Sequence, residues 1–201
     1  MNPTHSFYRA CYRLARAIAA VFYRLRIIGK ENIPERAALV CANHSNAIDP
    51  FLIAIVFGID SNIHVITKAE LFKIPVISAI LKKLGMIRVD RGVLDTSTIK
   101  STLSCLKNGE KVVIFPEGTR VHEDDAVLAK AGAVKIAERA GVPVLPLFLP
   151  RKKPLFSTLK IVVGEPYYIE KSQQKRTVED YSMLSGTLMS KIKQLNPELH
   201  A

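Results

Sequence analysis

Tryptophan is absent from the 201-residue chain, and cysteine occurs only at Cys11, Cys41 and Cys105. Such wide spacing excludes a disulfide scaffold and a CxxC metal or redox motif, and fits a reducing compartment. Long apolar runs are missing as well. The longest, residues 50–59 and 142–149, fall far short of the ~20 residues that cross a bilayer as a helix. The start of the chain carries no compact apolar signal core and no small-residue cleavage site, so no export is expected. Among its ten glycines no two stand two or four positions apart, which excludes GxGxxG and the GxSxG nucleophile elbow. Gly29-Lys30 runs into Glu31 rather than Ser or Thr, which excludes a P-loop. The first thirty residues contain no acid at all.

What is present is ordinary globular material, 48% hydrophobic and 23% charged, in a length that suits one domain. Lys and Arg number 29 against 18 Asp and Glu, a net charge of +11. An anionic partner is implied: an acidic lipid surface, a phosphorylated substrate, nucleic acid or an acidic protein. Arg9, Arg13, Arg16, Arg24, Arg26 and Lys30 place more than half of that excess in the acid-free arm. At about 100° per residue, Phe7, Cys11, Leu14, Ile18, Phe22 and Leu25 share one side of a helix over residues 1–28. Arginines take the other side, with Tyr8, Tyr12 and Tyr23 along the flank. Such a helix either docks on a core or lies in a membrane interface, arginines on anionic headgroups and tyrosines at the boundary; the one-signed charge favours the membrane.

Beyond the arm, short β-branched stretches alternate with longer helical patterns. Strands are expected at 39–42, 63–67, 86–89, 111–115, 144–149 and 159–163, and helices at 50–57, 76–84, 96–107, 128–140 and 178–194. The alternation predicts a single α/β domain over residues 29–195, its central sheet mostly parallel and flanked by helices, with a frayed tail at 196–201. Ligands of such sheets gather outside the carboxyl ends of the strands.

Polar clusters follow three expected strands. Asn43-His44-Ser45-Asn46-Ala47-Ile48-Asp49-Pro50 puts His44 on a loop where Asp49 can fold back to fix its tautomer, leaving the other ring nitrogen to accept a proton. Read blandly, Asp49 is a helix cap ahead of Pro50 and His44 a hydrogen-bonded loop residue. Phe115-Pro116-Glu117-Gly118-Thr119-Arg120 ends a strand in a turn where Arg120 can fork onto phosphate and Glu117 can accept from hydroxyls. A surface ion pair is the plain alternative. Gly85-Met86-Ile87-Arg88-Val89-Asp90-Arg91-Gly92 brings Arg91 to a third strand end. His122-Glu123-Asp124-Asp125 reads as a solvated acidic loop, so no metal site is expected, and Arg151-Lys152-Lys153 as a basic loop.

In order, the NHxxxxD, GxIxxDRG, FPEGTR and GVPVLPL blocks between Gly29 and Leu149 resemble the motif blocks of the glycerolipid acyltransferases, the glycerol-3-phosphate and 1-acylglycerol-3-phosphate acyltransferases. That resemblance implies His44 as base and Asp49 as its orienting acid. Arg91, Glu117, Gly118, Thr119 and Arg120 would bind the acceptor, and Lys68, in Thr67-Lys68-Ala69-Glu70-Leu71, would lie near its phosphate. Two positions depart from many relatives: Asn46, where Ser or Thr is usual, and Arg88. The reaction implied is acyl transfer from acyl-CoA or acyl carrier protein to 1-acylglycerol 3-phosphate, without a cofactor. It would occur on the cytoplasmic face of an anionic membrane, with no nucleic-acid partner. Acylation of glycerol 3-phosphate or another lysolipid remains the nearest alternative, and a non-catalytic membrane- or nucleic-acid-binding module the alternative of another class.

Overall fold

Apolar and charged residues alternate through Tyr23-Arg24-Leu25-Arg26-Ile27, and this period of two, which suits a half-buried strand, ends the N-terminal helix sooner than expected. The computed structural model describes residues 3–61, 63–90, 95–121 and 129–199, with side chains from Ser6 onward. Helix α1 spans Pro3–Phe22, and β1 follows at Tyr23–Ile28. The helix expected over 1–28 therefore stops at Phe22, and Leu25, Arg24 and Arg26 belong to a strand whose exposure alternates. The α/β body accordingly begins at Tyr23 rather than Gly29.

The remaining strands are β2 (Ala38–Ala42), β3 (Ile63–Lys68), β4 (Ile87–Val89), β5 (Lys111–Ile114), β6 (Val144–Phe148) and β7 (Ser157–Val163). Together with β1 they form one seven-stranded sheet in the order β1-β7-β6-β2-β5-β3-β4. β2 pairs in parallel with β5 and β6, and β3 with β5 and β4. Only the β6–β7 junction is antiparallel, and β7 pairs in parallel with β1. Five neighbouring strands thus send their carboxyl ends to one edge. β2 and β6 are buried at every position, as strands covered on both faces must be.

Helices α2 (Asp49–Phe57), α3 (Pro75–Lys83), α4 (Thr96–Lys107), α5 (Gly132–Ala140) and α6 (Val178–Gln194) connect and cover the strands. Because successive strand side chains point to opposite faces, Val40 and Ala42 join α2's Leu52, Ile53 and Val56 in one core. Leu39 and Cys41 join Leu106, Val134, Ala137, Leu188 and Ile192 of α4, α5 and α6 in the other. A capping box starts α6: Asp180 N–H donates to the Thr177 hydroxyl, and Thr177 N–H to the Asp180 carboxylate. Past α6, Leu199 N–H closes a turn on Asn196 O.

Helix α1 leaves part of its apolar stripe outside the core. Tyr12 and Ala19 pack on Ile55 of α2 with Tyr8 beside them, while Leu14, Ile18 and Val21 are 63%, 52% and 65% exposed. Two of the tyrosines expected along the flank, Tyr8 and Tyr12, belong to the docking face.

Candidate active site

His44 follows directly on the polar residue after β2. Asn43, fully paired, fixes that exit: its amide nitrogen donates to Leu149 O (2.7 Å) and its amide oxygen accepts from Leu149 N–H (2.8 Å). The loop from β2 is thereby tied to the loop leaving β6. From there the chain turns so that Asp49, first residue of α2, faces backwards. Asp49 Oδ2 lies 2.9 Å from His44 Nδ1 and accepts from the backbone N–H groups of Ser45 and Asn46, each at 2.8 Å. The N-cap of α2 falls at Ile48, and the Asp49 carboxylate bonds the His44 loop instead, so the helix-cap reading gives way to a histidine–carboxylate dyad. An Nδ1–H held by a carboxylate leaves the lone pair on Nε2. Phe115 stacks on the imidazole with ring centres 4.1 Å apart, and a ring so sandwiched has one orientation.

Burial alone would raise the Asp49 carboxyl, yet the His44 hydrogen bond, the Lys153 charge and the backbone donors together hold it below its usual 3.8. Lys153 Nζ sits 2.9 Å from Asp49 Oδ1. Its side chain is 1% exposed, and it donates to the Ser45 hydroxyl at 2.8 Å. Arg151, two residues earlier, reaches Glu117 Oε1 at 2.6 Å and Val121 O at 2.8 Å.

Glu117 is spent on the same scaffold, its other oxygen accepting from His44 N–H at 2.7 Å. With a side chain 0% exposed, it braces the histidine loop instead of reaching out to a hydroxyl, contrary to the sequence expectation. A carboxylate flanked by a buried guanidinium and a backbone donor gains more from those bonds than from a solvent-exposed contact. Gly118 takes φ 67°, and a Cβ there would lie 2.7 Å from Lys130 Cε. Only glycine suits that turn. Past it, Thr119 and Arg120 are exposed, and Val121 N–H returns to His44 O at 2.8 Å.

The carboxyl edge of the sheet therefore brings together the β6 loop with Arg151 and Lys153, the β2 loop with His44, and the β5 turn with Glu117 to Arg120. Next along the edge comes the half-buried Lys68 at the end of β3, paired in register with Val89. Arg91 and the acidic stretch 122–125 lie outside the described residues. Asn43, Arg151 and Lys153 are the functional-site residues that sequence reasoning missed. Lys153 and its partner Ser45 are 108 positions apart, and no local pattern distinguishes a buried lysine from a solvated one in a basic triplet. A concavity of about 910 Å³ between α4, α5 and α6 is lined by Lys130, Lys135, Arg139 and Lys171 among others and includes neither dyad residue.

The Acyltransferase family model matches residues 24–149. A 1-acyl-sn-glycerol-3-phosphate acyltransferase of Bacillus subtilis is 33% identical over 96% of this chain and 98% of its own length. Another from Pseudomonas aeruginosa is 30% identical over 78% of this chain and 63% of its own. Among solved structures, the 1-acyl-sn-glycerophosphate (LPA) acyltransferase PlsC from Thermotoga maritima superposes with a TM-score of 0.66 at 25% identity, over 98% of this chain and 78% of that one. The dyad at the sheet's carboxyl edge thus stands in a fold and a sequence that agree, and the chain belongs to the glycerolipid acyltransferase family that holds the 1-acyl-sn-glycerol-3-phosphate acyltransferases.

Proposed function

We propose that the protein transfers a fatty acyl group from a thioester, acyl-CoA or acyl carrier protein, to the free hydroxyl of 1-acylglycerol 3-phosphate, giving phosphatidic acid. The observation that carries this reading is the 2.9 Å His44 Nδ1–Asp49 Oδ2 contact beside the exposed Thr119-Arg120 rim, in a chain of this family. Nε2 of His44 takes the proton of the acceptor hydroxyl, and the oxygen attacks the thioester carbonyl carbon. A tetrahedral oxyanion forms, the C–S bond breaks as it collapses, and the imidazolium returns the proton to the departing thiolate. The step draws its atoms from the chain and the two substrates and calls on no cofactor. Arg120, with Lys68 and Arg91, holds the acceptor phosphate through charge-assisted hydrogen bonds.

The acceptor is taken from a membrane. The exposed Leu14, Ile18 and Val21 of α1, with Arg13 and Arg16 also exposed on the same helix, suit an anionic bilayer interface on the cytoplasmic side. Nucleic acid would want base-stacking aromatics on such a face, which here is aliphatic. The same face favours a lysolipid over water-soluble glycerol 3-phosphate. No described helix is long and apolar enough to cross a membrane.

The test is thiol release by the purified protein with lysophosphatidic acid, glycerol 3-phosphate and other lysolipids as acceptors and each thioester as donor. Phosphatidic acid should be the main product. His44→Ala should lower kcat/KM by about 10²- to 10⁴-fold, the usual worth of a positioned base, with melting temperature and vesicle binding kept. Near-normal turnover by that variant would end the mechanism.

A further inference from the structure

We infer that Lys153 is a positioning residue for the acyl transfer, neutralising Asp49 and fixing it on His44 Nδ1 so that Nε2 is the ring nitrogen left to act as base. This rests on the function proposed above and adds the residue that sets the working pH of its dyad.

The geometry is that of a fixed internal counter-ion. The Lys153 ammonium has three N–H groups and three partners: Asp49 Oδ1, the Ser45 hydroxyl and Pro150 O. None of these is solvent, and none is a substrate position. Asp49 Oδ1 is buried, and the ammonium 2.9 Å away is the partner that steadies it. A buried lysine–carboxylate pair contributes little to stability compared with apolar packing of similar volume. A purely structural role is therefore a weak reason for a cation at this seat.

The charges around the imidazole explain a chemical role. Asp49 faces the ring directly, and Glu117 binds the His44 backbone. Against these two carboxylates stand two cations, Lys153 on Asp49 and Arg151 on Glu117. Arg151 also presses on Lys153. Phe115 on the ring is uncharged, and Arg120 is exposed one residue before Val121, which bonds His44 O. Among the described residues the two buried carboxylates are thus each matched by one buried cation. Removing Lys153 leaves an excess negative charge beside the imidazole, which favours the imidazolium. Burial pushes the Lys153 ammonium down from its usual range, while Asp49 pulls it back up. The pair is thus coupled, each charge depending on the other.

The experiment is the pH profile of kcat/KM for the full chain with lysophosphatidic acid and acyl-CoA. Lys153→Met should move the acid limb up by about one pH unit, lowering kcat/KM roughly tenfold below the limb while changing it far less at high pH. Lys153→Gln fills the seat with an uncharged donor and should shift the limb the same way. Lys153→Arg keeps the charge and should leave the limb near its wild-type position. Lys152→Met, at the exposed neighbour, should leave the profile in place. A limb that stays put in the Met and Gln variants, with activity falling equally at every pH, would assign Lys153 to packing and overturn the inference. An inactive wild-type enzyme would instead overturn the proposed acyl transfer, and the two failures are thus distinguishable.

Discussion

Asp49 carries two consequences that separate at the bench. Its carboxyl is depressed below 3.8, so its ionisation contributes stability that is fully present above the unfolded value and is lost as pH falls through the folded one. Asp49→Asn also leaves Lys153 without its counter-charge. The melting-temperature gap between wild type and Asp49→Asn should therefore be widest above pH 3.8 and close as the solution is acidified further. A gap independent of pH would mean that the carboxylate charge does not matter to the fold. In the proposed acyl transfer Arg120 holds the acceptor phosphate. It is exposed past the Gly118 turn, and a charge-assisted bond is worth about 1.5–3 kcal/mol. Arg120→Ala should raise the acceptor KM roughly tenfold or more, with donor saturation little changed and inorganic phosphate a poorer competitor than in wild type. Equal effects on both substrates would mark general disruption of the turn.

At the scale of elements, α1 divides its work between two faces. Tyr8, Tyr12 and Ala19 hold it to α2, and the Tyr8 hydroxyl donates to Gly58 O at 3.4 Å. Leu14, Ile18 and Val21 meet nothing in the fold that would hide them. Charged substitution there costs the folded state little, since exposed positions tolerate change within about 0.5 kcal/mol. Leu14→Asp with Ile18→Asp should accordingly keep the melting temperature and abolish binding to anionic vesicles at any salt. Arg13→Gln with Arg16→Gln should weaken binding several-fold per residue, at about 1 kcal/mol each, and reduce its salt dependence. Vesicle sedimentation reads both. Unchanged binding in the double aspartate variant would assign α1 to core packing alone. Truncations intended to remove the arm must stop before Tyr23, because β1 completes the sheet through its pairing with β7.

Across the whole molecule, topology makes the site. The strand order sets β2 between β5 and β6, which are distant in sequence from it and from each other. Their carboxyl-end loops then meet over one edge, and the Asn43–Leu149, Glu117–Arg151 and Asp49–Lys153 links bind the three into one unit. The +11 charge acts at this scale too. It favours anionic partners in general, an effect that fades as the Debye length shrinks from about 10 Å at 0.1 M salt to about 3 Å at 1 M.

Much of this was written locally. The short β-branched stretches and the longer helical patterns give β2 to β7 and α2 to α6 within a few residues. His44 and Asp49 were legible because they stand only five positions apart in the chain. β1 went unread although its alternation was in plain sight, since six residues continuing an amphipathic helix satisfy either period. What only tertiary structure decided is the environment of the polar residues. Glu117 turned inward, and Lys153, in a triplet that reads as solvated, became a buried counter-ion. Neither outcome has a local signature, because whether a charge is solvated or paired depends on which distant loop the sheet order sets against it.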